Sequence, residues 1–222
     1  MLTIHAADLL IPGDRRQPVP GGAVLVDGRE IAAVGRYEEL AAARPTARVR
    51  RWPGLLTPGL VNVHGPELLE RAYHPDPREA GELGTEPLTG AALAALPMTD
   101  ARWGASARRG VQRMLAHGTV AVAGSLWRPA VVDAVYRAGL TAEERFADPP
   151  GPPTFDPLAG RSLAEAILLP LPPAGADGVG RTDGADATFA VFDVPDEATL
   201  VKRGAVSCVA TVLKGRLVHR RR

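Results

Sequence analysis

The chain has a single cysteine, Cys208, which excludes an internal disulfide and a cysteine-only metal site. Cys208 lies in an apolar, strand-like run, where a buried structural thiol is the expected state. No apolar run approaches the roughly 20 residues that span a bilayer. The first residues, Met1 to Ala7, lack the basic start and long apolar core of a secretory leader, so a cytoplasmic, non-membrane protein is expected. An excess of one charge is lacking too: 26 basic and 25 acidic residues leave a net +1 over 222 residues. Aromatics are scarce, and no basic stripe is interleaved with them, so nothing recommends a nucleic-acid partner. The Arg220-Arg221-Arg222 tail reads as a solvated end. Neither G-x-S-x-G nor G-x-x-x-x-G-K-[ST] occurs, which leaves out a nucleophile elbow and a phosphate-cradling loop.

What is present is enough apolar sequence, 45%, for a sizeable core. Leu2–Ala6, Asp8–Ile11, Ala23–Val26 and Glu30–Val34 read as strands. Asp27-Gly28 sits between two apolar runs as a hairpin turn that favours positive φ at both central positions. A short helix over Tyr37–Ala43 and a strand over Arg48–Trp52 follow. His5 in this sheet is a structural or surface residue.

The next stretch, Leu56 to Glu67, carries the chemistry. Pro58-Gly59 reads as a turn feeding a short apolar strand, Leu60–Val63, that ends on His64. A polar residue at the end of a buried strand is where α/β proteins place their sites. Residues 65 to 98, with five prolines, read as a long irregular excursion. Thr99 then caps a helix over Asp100–Ala116, with Ala107, Val111, Met114 and Leu115 on one face and Gly118 beyond its end. His117, near that end, is favoured there by the helix dipole. Thr119–Ala123 is apolar enough to be buried on both faces of a parallel sheet. Pro129 opens a further helix with Val132, Val135 and Tyr136 inward and Gly139 as its stop. Asp148–Pro157 is irregular, and Ser162 to Glu165 is a capping box opening a short helix to about Leu169. Residues 170–184 read as a linker or trimmed loop. The end returns to strands: Ala187–Val194, Ser207–Leu213 and, after a Lys214-Gly215 turn, Arg216–His219.

Together, DGREIAAVG at 27–35, LTPGLVNVH at 56–64, LAHGTVAV at 115–122, SLAEA at 162–166, ADATFAVFD at 185–193 and VATVLKGRLVH at 209–219 resemble the amidohydrolase superfamily, in the family's order. The resemblance is to members such as imidazolonepropionase and the purine or aminodeoxyfutalosine deaminases. The resemblance implies an α/β protein in which the two chain ends form one small β-sandwich, residues 1–55 with 185–222. A β/α barrel would be inserted between them, at 56–184. A full barrel needs roughly 250 residues, whereas about 110 separate Gly59 from Leu169. A remnant of two or three βα units is therefore expected.

The family's first barrel strand ends in His-x-His, two imidazoles that grip a divalent metal. Here His64 matches the first and Pro66 stands where the second belongs. The metal-binding histidines of later strands have no counterpart in the shortened chain. The expected function is thus an amidohydrolase-like protein that has lost its hydrolytic site and binds a small molecule or a partner, with no cofactor. The alternative is a hydrolase or deaminase of non-peptide C–N bonds with an atypical zinc or iron site. That reading recruits His64 and His74 as ligands and Glu67 as the proton-transferring carboxylate, with Asp100 or Asp156 in reserve. A shortened barrel also leaves sheet edges and apolar faces to cover, so a homodimer is expected.

Overall fold

The structure, a computed structural model, describes residues 1–173 and 184–221. From the N-terminus come β1 (Leu2–Ala6), the short β2 (Leu9–Leu10) and β3 (Val19–Pro20), and a hairpin of β4 (Gly22–Asp27) and β5 (Glu30–Arg36). Helix α1 (Tyr37–Ala43) and β6 (Arg48–Arg51) follow. A four-stranded sheet forms in the order β5-β4-β1-β6, parallel only at the β1–β6 pair. The hairpin turn is Gly28-Arg29, one residue later than expected, because Asp27 still pairs with Glu30. Only Gly28 takes a positive φ, 60°, so glycine is required at the first central position alone.

Pro58-Gly59 is not a turn within one strand. β7 (Leu55–Pro58) runs through the proline, and β8 (Leu60–Asn62) belongs to a different sheet. The excursion after β8 is less irregular than its prolines suggest: it holds α2 (Gly65–Leu69), α3 (Ala80–Leu83) and α4 (Gly90–Ala94). Arg102 ties it down by reaching the Tyr73 hydroxyl at 3.1 Å and Glu79 at 2.8 Å. That arginine belongs to α5 (Asp100–Leu115), whose first turn the Thr99 hydroxyl caps by accepting from the Arg102 N–H.

Next come β9 (Thr119–Ala123), α6 (Pro129–Ala138) and β10 (Thr141–Glu143). β8, β9 and β10 are parallel and adjacent in the order β10-β9-β8, with α5 and α6 as crossovers. Val111 and Met114 of α5 share a core with Val131, Ala134 and Val135 of α6 and with Val120 and Val122 of β9. The inward face of α6 is therefore Val131, Ala134 and Val135; Tyr136, expected inside, is exposed. The sheet stops after three strands and does not close. Gly59 marks the crossing between sheets, because a Cβ there would lie 2.3 Å from Val120 Cγ2 of β9.

The chain closes with α7 (Leu163–Ala166), β11 (Phe189–Phe192), α8 (Glu197–Arg203), β12 (Cys208–Leu213) and β13 (Arg216–Arg220). α7 stops at Ala166 rather than Leu169, because Ile167 turns extended and bridges Leu60. α8 was not expected, although Asp196 caps it and Gly204 ends it. The six-stranded sheet runs β13-β12-β11-β7-β2-β3, so the two chain ends join within it at the β11–β7 pair. Its inner face (Leu10, Leu56, Phe189, Val191, Ala210, Val212) packs on Val24, Val26, Ile31, Val34 and Trp52 around the first sheet. These two sheets are the small β-sandwich. The other face of the larger sheet packs on Leu158, Leu163 and Leu200. The expected linker falls largely at 174–183, outside the described residues. No helix among the described residues is long and apolar enough to cross a membrane.

Candidate functional site

His64 lies just beyond β8, at the N-terminal edge of α2. Buried Asn62 fixes it there. The Asn62 side-chain oxygen accepts the His64 backbone N–H at 2.9 Å, while its Nδ2 donates to the Thr154 carbonyl at 2.9 Å. The His64 side chain is 5% exposed, and its Nδ1 is buried without a hydrogen-bond partner. Burial lowers its pKa; Glu67 opposes that shift, and the cations Arg145 and Arg161 add to it. The ring is neutral at pH 7.

Glu67 lies within a guanidinium fork. Arg145 Nη1 donates to Oε2 at 2.9 Å and Nη2 to Oε1 at 3.1 Å, with Arg71 a further 3.7 Å away. Burial pushes the Glu67 carboxyl up, but the Arg145 hydrogen bonds and the two positive charges prevail and hold it below the usual range. Glu67 is therefore ionised, and both its oxygens are engaged.

His74 is buried against α5, away from this constellation. Its Nε2 meets the Leu68 carbonyl at 2.7 Å, its backbone N–H donates to the Ser106 hydroxyl at 2.8 Å, and its Nδ1 has no partner. A Cβ on Gly110 would come within 2.8 Å of the His74 ring, which shows how closely the helix approaches it. Asp156 binds the backbone N–H groups of Leu158 and Ala205 at 2.9 and 3.1 Å, tying an irregular segment to the end of α8. Asp100 is exposed in the first turn of α5. His117 hydrogen-bonds the Arg113 carbonyl, at the end of α5, and stacks on Phe155. His5 is buried, its Nδ1 accepting from Trp52 Nε1 at 3.2 Å, and burial lowers its pKa to about 4. Cys208 is buried and its thiol is pushed up to about 11, which leaves it protonated and inert.

Among the described residues, no three His, Cys, Asp or Glu side chains converge closely enough to hold a metal ion. The donor set does not fit one either. A guanidinium occupies both oxygens of Glu67, His74 faces a carbonyl, and Pro66 offers no ligand atom.

Two arginines that the sequence reading did not single out define the site. The carbonyls of Gly59, Val61 and Val63 accept, in turn, from Leu168 N–H at 3.0 Å, Arg161 Nη1 at 3.1 Å and Arg145 Nη1 at 2.8 Å. β8 has no second strand neighbour in the three-stranded sheet, and these donors serve its carbonyls instead. Arg161 also donates to the Pro157 and Glu165 carbonyls. A third overlooked residue, Glu70, is buried and accepts the backbone N–H groups of Trp127 and Arg128 at 2.9 and 2.6 Å, at the positive end of α6. No periodicity or spacing marks such residues; their partners are remote in sequence. Beside the Glu67–Arg145 pair, a cleft of about 310 Å³ opens between Pro66, Arg71, Ser125, Arg145 and Asp148. It lies at the C-terminal ends of the parallel strands, where α/β sheets bind ligands.

No protein-family profile matches the chain, and no curated protein matches it. Similar solved structures include ochratoxinase from A. niger, 25% identical over 64% of this chain and 30% of that one, with a TM-score of 0.43. Another is a zinc-bound adenosine deaminase from Xanthomonas campestris: 21% identity, 63% and 32% coverage, TM-score 0.44. A third is the Helicobacter pylori aminofutalosine deaminase: 15% identity, 65% and 33% coverage, TM-score 0.43. The chain thus spans about a third of the length of the structures it is similar to.

Proposed function

We propose that this chain is an amidohydrolase-like protein whose metal-dependent hydrolytic site has been lost, and that it acts as a binding protein for a small molecule. The observation that carries this reading is the Glu67–Arg145 fork beside His64. A carboxylate that must ligate a dication or shuttle a proton needs a free oxygen, and here both are occupied by a cation that would repel the metal. Pro66, at the second histidine position of the quoted motif, supports the same reading. The cleft beside that ion pair is the proposed binding place, with Arg71 and Ser125 as its available polar groups.

The test is the metal content of untagged protein, purified with zinc or iron supplied and then dialysed against a weak chelator. Less than about a tenth of an ion per chain, unchanged in His64→Ala, is the expected result. Close to one ion per chain, lost in His64→Ala, would establish instead an atypical metallohydrolase acting on non-peptide C–N bonds.

A further inference from the structure

Among the described residues, β10 is an edge strand with its outer side unpaired. Ala142, Glu143 and Glu144 are all exposed, and no described residue extends the three-stranded sheet past them. Glu143 turns toward β9, since its carbonyl accepts the Gly124 N–H at 3.0 Å. Backbone groups alternate along a strand, so the N–H and C=O of Ala142 face outward. The exposed aromatics cluster at this same unit. Of the aromatic side chains in the described residues, Trp127 (72% exposed), Tyr136 (64%) and Phe146 (93%) are the exposed ones, and all lie in or beside α6 and β10. Trp127 and Phe146 border one cleft at the C-terminal end of the strands. Tyr136, with Val132, Val135, Ala142 and Glu144, borders a groove of about 220 Å³ between α6 and β10.

We propose that this edge is the interface of a homodimer, with β10 pairing antiparallel to β10 of a second copy about a two-fold axis at Ala142. The edge is complementary to itself in that register. Ala142 meets its own counterpart, Thr141 meets Glu143, and Glu144 meets Leu140, which follows the last turn of the partner's α6. Glu144 of each copy then approaches Arg137 of the other, an arginine that otherwise has only Asp133 of its own helix, at 2.8 Å. Phe146 of each copy comes opposite Ala138 of the other and enters the groove beside Tyr136. A register shifted to Glu143 would instead set two carboxylates face to face.

A second copy is favoured over a different protein because both halves of the recognition lie on one surface: an acidic strand end with an apolar plug, and a basic helix end with an apolar groove. Three paired residues are too few to hold a dimer. Two aromatics per copy, Tyr136 and Phe146, each carrying about 150–250 Å², together with the paired strands bring the buried area toward the order of 1,000 Å², where specific interfaces begin.

Sedimentation velocity of the full chain at micromolar concentration tests this. The wild type should sediment near twice 23.3 kDa. Ala142→Pro, which removes one outward N–H from an edge strand that tolerates proline, should sediment as a monomer with an unchanged circular dichroism spectrum. Glu144→Arg or Arg137→Glu should each weaken the dimer at least tenfold, and the double swap should restore it. A monomeric wild type would overturn the proposal. So would a dimer whose affinity withstands Phe146→Lys and both charge reversals. Metal content is read on the same samples, so loss of the binding-protein reading would be seen separately from loss of the interface.

Discussion

His5 is the residue whose titration the fold controls most directly. Its pKa falls to about 4 in the folded chain because its ring is buried, with Arg50 adding to the shift, whereas an unfolded histidine titrates near 6.5. Between these values the unfolded state binds the proton and the folded state does not, so stability rises with pH across this window. His5 therefore costs nothing above pH 6.5 and progressively destabilises the fold as pH falls toward 4, by about 3 kcal/mol in all. Urea unfolding at pH 7 and pH 4.5 should show this slope, and His5→Phe should flatten it. The Glu67–Arg145 pair is mostly shielded from water, each side chain being 15% exposed. Glu67→Gln should lower stability by about 2 kcal/mol, less than for a fully buried pair, and Arg145→Met should do similar damage by also baring the Val63 carbonyl. Gly110→Ala should cost about 1–3 kcal/mol by overpacking, because its Cβ would press on Leu69 and His74. A milder effect would mean that His74 moves more freely than its contacts indicate. None of these pairings was legible in the sequence. His64, Glu67 and His74 stand close together along the chain, yet Arg145 takes both oxygens of Glu67 while His74 meets the Leu68 carbonyl beside α5.

Among the elements, β8 shows how the edge strand of an open parallel sheet finds its hydrogen-bond partners. In a closed barrel both edges of a strand are paired; here β9 takes one edge and the 161–168 segment with two guanidiniums serves the other side. Arg161→Met should strand the Val61 carbonyl and raise hydrogen exchange in β8 and α7, with little change in β1 or β4. Exchange rising equally in every strand would show instead that β8 has no separate stability. Thr99 caps α5, the longest helix. Thr99→Ala should cost about 1 kcal/mol, read as a lower melting temperature. Caps, glycine stops and apolar periodicity are local properties, so α1, α5, β9 and β12 were foreseeable within a residue or two. Tyr136 was misplaced because its spacing from Val132 fits a helix face, whereas the buried stripe runs through Val131, Ala134 and Val135.

For the whole molecule, the layering follows from the chain path. The N- and C-terminal segments meet edge to edge in the six-stranded sheet, where β7 pairs with β11, so neither end can complete the sandwich alone. Truncation before β11 should therefore abolish cooperative unfolding rather than release a stable N-terminal domain, as a thermal scan of residues 1–173 would show. The three-stranded parallel sheet packs on this frame: Leu213 of β12 lies in its core, and the Thr211 hydroxyl donates to the Leu115 carbonyl at 2.6 Å.

The sequence by itself determined the β4–β5 hairpin, helices α1, α5 and α6, and strands β9, β11, β12 and β13, and its resemblance to a known family implied that the two chain ends would meet in one sandwich. The elements depend on periodicity and turn chemistry, which are written locally. Only the tertiary structure decided that Arg145 and Arg161 occupy the carboxylate and carbonyls beside His64, that His74 Nε2 meets the Leu68 carbonyl, and that β10 ends its sheet among the described residues. Each of those outcomes joins residues from different units of the chain. A long flexible arginine takes whichever partner the packed backbone leaves unpaired, and no spacing in the sequence records that choice.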